Sequence, residues 1–507
     1  MNAADFQALA PLIVLSVAAV LLMLLIAVWR SHAMAAWASA IGLVTALASV
    51  VFVSAPRSGR HVTPLLIVDD YALFYIGLVI VAALAVSVIS HGYLKSRDRL
   101  PCEEYYVLLL LATLGAATTV AADHFAAFFL GLETLSIALL GLIAYPHVAE
   151  RPVEAGVKYL VLAGVASAFL LFGIALVYAQ TGTLSFAAQA VVPAAGADAR
   201  GLYWLSGVAL ILVGIGFKLS VVPFHMWAPD VYEGAPAPVT AFLAVVSKCA
   251  VFALLLRYFL TADAWASAGP ATILSIIAVL SMIAGNLLAL LQDNVKRILA
   301  YSSIAHLGYA LVALLAGGAL AVEAVSVYLA MYAVTTLGAF GVVTILSRPG
   351  AECDADTLED YRGLFWVRPW LALAFAAMLL SLAGIPLTLG FIAKFYAVAS
   401  GVSARLWLPV VALVIGSIIG LYYYLRIIVA MLSTGGEGAE SPARLAQWPA
   451  CAVIAILTLA LLGLGIFPSP LVAVVRATAA DLAERTSALP GLRPAASTKP
   501  SEQLRTR

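Results

Sequence analysis

The stretch FKLSVVPFHMWAPDVYEGAPAPVTAFLAVVSK, residues 217–248, sets Lys218 and Lys248 inside segments otherwise apolar enough to cross a bilayer. A lysine at that depth costs about 2.5–3.5 kcal/mol on insertion scales, so its retention implies a polar interior. Pro223 and Pro229, with Gly214 and Gly216 just upstream, break the helix beside Lys218. Each proline removes a backbone donor and disturbs the carbonyl one turn back, and such freed groups survive at membrane depth only where protein or trapped water satisfies them. A matching interruption, SLAGIPLTLGFIAKFY at 381–396, has Gly384, Pro386 and Gly390 just before Lys394. Paired broken helices in the two halves of a chain point to an ion site and to inverted repeats. A fourth intramembrane charge, Glu133, lies in FLGLETLSIALLGLIAY at 129–145.

Outward from these stretches the 507 residues read as an all-α polytopic membrane protein, since 64% are hydrophobic and only 10% charged. Apolar runs between breakers predict about fourteen transmembrane helices, at 9–29, 34–54, 70–91, 105–122, 125–145, 157–180, 203–222, 239–260, 271–291, 299–319, 322–346, 370–400, 407–431 and 449–470. The first reads as a retained helix and not a signal peptide, because no small-residue cleavage site clearly follows it. The expected grouping is an N-terminal three-helix segment at 1–104, a first five-helix repeat at 105–260, a second, inverted repeat at 261–431, and helix fourteen with a polar C-terminal tail at 432–507. The tail reads as a disordered stretch.

Cytoplasmic loops hold Lys and Arg in excess. Arg30, Lys95, Arg97, Arg99, Arg151, Lys158, Lys296, Arg297, Arg348, Arg362, Arg368 and Arg444 put twelve on one set of loops, against four on the other, Arg57, Arg60, Arg200 and Arg405. This predicts an N-terminus outside the cytoplasm, although Arg476, Arg485, Arg493, Lys499, Arg505 and Arg507 of the tail run against it. Arg257 and Arg426, near helix ends, are expected to snorkel to the headgroups. Tyr105-Tyr106 and Tyr422-Tyr423-Tyr424 read as interfacial belts rather than a quinone site. Glu104 and Glu154, at helix starts, read as solvated or capping acids.

The balance of 27 Lys+Arg against 26 Asp+Glu, with no basic patch, gives no reason to expect a nucleic-acid partner. Cys102, Cys249, Cys353 and Cys451 stand apart, without metal or disulfide spacing. With no dinucleotide fingerprint, haem motif or cluster ligands either, no cofactor is expected on this chain.

At about 1.5 Å per residue, Glu133 lies roughly 12–14 Å into its helix and Lys248 a similar distance into the eighth, both near mid-bilayer. Lys218 is the expected partner of Glu133, because a buried lysine whose hold on its proton depends on a neighbouring carboxylate is a switch set by geometry. Lys248 offers a second titratable stop, His306 in SSIAHLGY a relay, and Lys394 a terminal stop before the far side. Tyr309, Ser302, Ser303, Thr335 and Thr336 are expected to hold connecting water. His225, beside the break, reads as a loop or capping residue. The competing reading makes the Lys–Glu pair helix glue and nothing more.

These stretches, together with LLQDNVKRILAYSSIAHLGYALVAL at 290–314, resemble the membrane subunits of bacterial proton-pumping NADH:quinone oxidoreductase, respiratory complex I, and within them subunit N. The resemblance extends over nearly all the helices. It implies an antiporter-like fold of two inverted five-helix repeats with helices seven and twelve broken, in a bacterial inner membrane with a periplasmic N-terminus. It also implies M-like and K-like neighbours and contact with the lateral helix of an L-like subunit. Glu133 corresponds to the family's helix-five glutamate, Lys218 to its helix-seven partner lysine, Lys248 to the helix-eight connecting lysine and Lys394 to the helix-twelve terminal lysine. A lysine at 394 separates the chain from subunit M, which carries glutamate there, and its end soon after helix fourteen is expected to separate it from subunit L. FMN, iron–sulfur clusters and the quinone pocket are implied in partner subunits, leaving proton translocation to this one. Two departures stand out: TLSIALLGLIAY after the glutamate is poor in hydroxyl and aromatic residues, and Leu387 stands where a second proline is common. Mrp-type cation/proton antiporters and membrane-bound hydrogenases share the fold and the lysine–glutamate chain, and remain alternatives, as does a non-pumping scaffold.

Overall fold

The computed structural model describes residues 2–53, 59–95, 102–146, 149–190, 201–262, 268–347, 354–434 and 448–488. Its principal helices are α1 (Ala10–Val28), α2 (His32–Phe52), α3 (Asp70–Lys95), α4 (Glu103–Val120), α5 (Phe125–Ile143), α6 (Glu150–Thr181), α7 (Leu202–Leu219), α8 (Trp227–Gly234), α9 (Ala237–Thr261), α10 (Ala268–Leu290), α11 (Val295–Leu315), α12 (Gly318–Leu346), α13 (Pro369–Ala383), α14 (Leu389–Ser403), α15 (Trp407–Leu432), α16 (Trp448–Ile466) and α17 (Ser469–Ala488). Twelve are long and apolar enough to cross a membrane. Of the expected fourteen segments, the fourth (α4) falls outside that set, with Glu103 and Glu104 in its first turn. The twelfth falls outside because it is split into α13 and α14. The expected all-α polytopic fold is the one observed, and the sheet among the described residues is a two-residue antiparallel hairpin, Arg60–His61 with Ile67–Val68.

Helices α4 to α9 recur in order as α10 to α15, each set holding five crossings with the fourth one broken. An odd number of crossings returns the chain to the opposite side, so the second set runs inverted. The register of the two sets follows from how their first helices cross. A Cβ on Gly115 would lie 2.8 Å from the Gly131 carbonyl oxygen, and one on Gly285 would lie 2.8 Å from the Tyr301 carbonyl oxygen, so both pairs cross on a residue without a side chain. The shift of 170 residues (285 − 115 and 301 − 131) also places Asn294 on His124, and both are N-caps whose side chains accept a first-turn amide.

Helix α9 is wholly buried and α11 and α12 nearly so, whereas α1, α2, α6 and α16 show most of their surface. That surface carries Leu21, Leu24, Trp37, Leu160, Phe172 and Leu459, an apolar exterior suited to lipid. A charge on α9 or α11 is therefore enclosed by other helices and cannot reach headgroups.

Several expectations fail for this reason. Arg257 does not snorkel: on α9 it is 1% exposed and makes two 2.8 Å bonds to Asp69. Tyr423 and Tyr424 are buried and only Tyr422 faces outward, while Tyr105 and Tyr106 are also buried, so neither run forms a belt. Lys296 is not a loop residue but lies buried in the first turn of α11, donating to the carbonyls of Glu233 (2.8 Å) and Ala235 (2.6 Å) and pairing with Asp354 at 2.9 Å. The tail does not begin as disordered chain. Its first part is α17, which buries Val475, Thr478 and Leu482 and pairs Arg476 with Glu323 at 2.9 Å. Glu104 and Glu154 remain accessible acids at helix starts, paired with Arg30 and Lys158. Cys353, the charges at 57, 97, 99, 200, 348 and 444, and the tail beyond 488 lie outside the described residues.

Candidate functional site

The first break is terminated by side chains that reach the last carbonyls of the helix. α7 ends at Ser220, whose backbone is left-handed (φ 58°), and the indole of Trp227 donates to the Phe217 carbonyl at 3.0 Å. Lys248 Nζ donates to the next carbonyl, that of Lys218, at 2.8 Å and also bonds the Ser220 hydroxyl. An ammonium at a helix C-terminus meets the negative end of its dipole. Beyond the break, the Val222 amide donates to Ser281 Oγ on α10 at 2.9 Å. Lys248 follows a one-turn π segment, Leu243–Ser247, and its Nζ lies 4.9 Å from the centre of the Trp227 ring.

Lys218 points to α5, but not to Glu133. Its Nζ donates at 2.7 Å to Ser136 Oγ, whose own proton goes to the Leu132 carbonyl at 2.6 Å. Glu133 instead accepts from Ser167 Oγ on α6 at 2.5 Å, and the two charges form no ion pair. The expected direct Glu133–Lys218 contact is thus corrected: Ser136, one turn along α5 from Glu133, takes the ammonium. A small cavity of about 10 Å3, close to the volume one water needs, lies against Lys218, Ser136, Tyr159, Trp227 and Ser247.

The second break repeats the first in outline. α13 ends at Gly384 (φ 87°), Lys394 Nζ donates to the Ala383 carbonyl at 2.8 Å, and Ser417 Oγ accepts from the same ammonium at 2.6 Å. Gly390 is obligatory here, since a Cβ would overlap the Ser381 carbonyl, and its amide donates to Ser381 Oγ at 3.1 Å. Lys394 Nζ also lies 5.2 Å from the centre of the Tyr309 ring, whose hydroxyl accepts from Asn286 Nδ2 at 2.8 Å. At both breaks, then, a lysine and a serine close the carbonyl end of a half-helix.

His306 is buried with both ring nitrogens engaged, Nδ1 with Tyr328 at 2.7 Å and Nε2 with Tyr424 at 3.2 Å, and Tyr424 is also bonded to Ser302. Ser303 bonds Tyr332 at 2.6 Å, whereas Thr335 returns its proton within its own helix, to the Met331 carbonyl at 2.8 Å and the Tyr332 carbonyl at 3.2 Å. The structure therefore joins Lys218 to Lys248 and builds a second network around His306, but no hydrogen bond among the described residues links Lys248, His306 and Lys394 directly. The 170-residue register sets Ser303 at the position of Glu133 and His306 at that of Ser136, so the glutamate belongs to the first repeat alone. His225 is buried, and its Nδ1 has no partner among the described residues. Lys158 on α6 (2.8 Å) and Arg297 on α11 (2.9 Å) bond Asp230 on α8.

Sequence reasoning missed Ser136, Ser167, Ser220, Ser417, Tyr328 and Tyr424. Ser136 was within reach, since a residue three positions from Glu133 shares its helix face.

Residues 122–420 match the family described as NADH:quinone oxidoreductase/Mrp antiporter, transmembrane. A chain of respiratory complex I from Thermus thermophilus, solved with bound aureothin, is 33% identical, covering 92% of this chain and 99% of its own, with a TM-score of 0.78. A chain of an archaeal membrane-bound sulfane sulfur reductase is 24% identical over 96% of this chain and all of its own, at a TM-score of 0.83. One from the Mrp complex of Dietzia sp. DQ12-45-1b is 21% identical over 97% and 99%, at 0.84. The last two likenesses show the fold alone.

Proposed function

Because the chain belongs to the NADH:quinone oxidoreductase/Mrp antiporter family of transmembrane subunits, we propose that it is the N-type subunit of a respiratory complex I. In this reading it carries protons across a bacterial inner membrane while partner subunits pass electrons from NADH to quinone. The observation that carries the reading is the joined pair Lys218–Lys248 at one helix break, mirrored by Lys394 at the other. Four ionisable groups inside a bundle with an apolar exterior fit a proton path better than a scaffold, which gains nothing from burying them. The first repeat, 105–260, takes up the proton at Glu133 and Lys218 and hands it to Lys248. The second, 261–431, receives it through water near His306 and releases it from Lys394, with the N-terminus on the periplasmic side.

FMN, the iron–sulfur clusters and the quinone site belong to partner subunits in this reading. The neighbours are M-like and K-like membrane subunits, with the lateral helix of an L-like one. The complex I assignment draws on the higher identity to the Thermus thermophilus chain. The matched family takes in Mrp antiporters as well, which supports a second reading, a cation/proton antiporter subunit. Co-purification separates the two: cluster-bearing peripheral subunits accompany the chain only in the first.

The test replaces Lys218 by Met in the assembled complex and measures NADH oxidation and proton uptake in native membranes. Both fall together if the lysine is part of a coupled pump. Undiminished pumping by the assembled variant overturns the proposal in favour of a scaffold.

A further inference from the structure

Away from the lysine path, α2, α3 and α16 enclose a cavity of about 290 Å3, walled by Trp37 and Trp448 and lined by Ala40, Ser87, His91 and Pro449. His32 opens α2, and the described parts of α3 and α16 end at Lys95 and begin at Trp448. At about 1.5 Å per residue the lining residues lie within roughly 12 Å of those ends. That band takes in the headgroup and glycerol level and the upper acyl region of one leaflet, short of the hydrocarbon centre.

The polar groups there form a column. Ser87, His91 and Lys95 recur every four residues on α3 and so share one face, running from inside the cavity to the membrane surface. Ser87 is 2% exposed and lines the cavity, and His91 Nδ1 has no partner among the described residues. The His91 ring lies against that of His32 at the cavity wall, with centres 4.5 Å apart and planes tilted by 32°. Lys95 is exposed, and no described carboxylate pairs with it, whereas nearby Arg30 is taken by Glu104. The sequence continues with Arg97 and Arg99.

We propose that this cavity binds one anionic glycerophospholipid, its phosphate at Lys95 and His91, its ester oxygens facing Ser87 and one acyl chain held between Trp37 and Trp448. Basic pockets between transmembrane helices recognise such headgroups, and tryptophans at this depth favour an amphiphile over a purely apolar guest. A zwitterionic lipid would fill the groove but carries no net charge to answer Lys95. The inference requires only that the chain lie in a bilayer and is independent of whether it pumps protons.

The assembled complex in native membranes is equilibrated with a phosphatidylglycerol bearing a diazirine near the glycerol end of one acyl chain, irradiated and digested. Adducts are expected in the segments 36–40, 87–92 and 448–450, displaced by unlabelled phosphatidylglycerol and not by phosphatidylcholine at the same concentration. Lys95→Gln, at an exposed helix end, lowers labelling of these segments about fivefold, the worth of one cation beside an anionic headgroup, while labelling of the outer face of α6 reports that the chain is still folded. Equal displacement by both lipids, displacement by a short-chain quinone in place of phosphatidylglycerol, or α6 labelled with these three segments bare each overturns the proposal.

Discussion

Lys248 Nζ donates to the main-chain carbonyl of Lys218 at 2.8 Å, so the two lysines are coupled through the backbone of a broken helix and not through their ammonium groups. Any movement of the turn at Ser220 shifts the bonds of both. Lys248→Met removes the cation from the helix end and leaves the Lys218 carbonyl and the Ser220 hydroxyl without it. Proton uptake coupled to NADH oxidation is expected to fall at least about tenfold, with assembly preserved. A variant that pumps normally would exclude Lys248 from the path.

Glu133 and Lys218 are each tied to a serine, so their coupling is tuned by hydroxyls. Ser167→Ala deprives the carboxylate of its 2.5 Å donor and Ser136→Ala deprives the ammonium of its 2.7 Å acceptor. Hydrogen bonds to charged groups are worth about 1.5–3 kcal/mol, so each change is expected to slow pumping about tenfold or more. If the charges acted through direct contact, the serine variants would pump like the parent, and initial rates of proton uptake in membrane vesicles distinguish the two cases.

The lysines and the glutamate were legible because a charge inside an apolar run has no bland surface reading. Their partners were not, since Ser167 and Ser136 look like ordinary membrane-helix serines until α5, α6 and α7 are packed together. Arg257 was misread for a related reason. Its partner Asp69 is 188 positions away, and one arginine near a helix end reads as a snorkeller until α9 proves to be enclosed. The tyrosine run failed on periodicity, for three consecutive helical residues span about 200° and cannot all face one way. In α17 the stripe Val472, Val475, Ala479 and Leu482 has helical spacing, but the charges and prolines around it pulled the segment towards the tail.

Gly390 offers a steric test of the second break. Its Cα faces the Ser381 carbonyl so closely that any Cβ collides with backbone, and backbone cannot swing aside as a flexible side chain can. Gly390→Ala is expected to separate α13 from α14 and pull Ala383 away from Lys394. Little of the chain should then be recovered in the assembled complex, whereas Gly463→Ala, where a Cβ meets nothing within 4 Å, should assemble normally. Quantifying assembled chain by native electrophoresis compares them, and equal recovery would show that the break does not need this close approach.

The buried pair Asp69–Arg257 ties α9 to the N-terminal three helices through two parallel 2.8 Å bonds, with the guanidinium 4.9 Å from the Tyr71 ring. Removing one member leaves the other charged and enclosed, which costs about 3–5 kcal/mol, whereas removing both charges from such a pair is often nearly neutral. Arg257→Met should therefore lower the temperature at which the complex loses this subunit. Asp69→Asn added to it should restore most of the loss, since the asparagine oxygen can still accept the Ala72 amide that Asp69 Oδ1 now accepts at 2.7 Å. The measurement is subunit retention against temperature in the assembled complex for the parent, the single variant and the double variant. A double variant no more stable than Arg257→Met would mean that the pair contributes through its hydrogen-bond geometry and not through charge compensation.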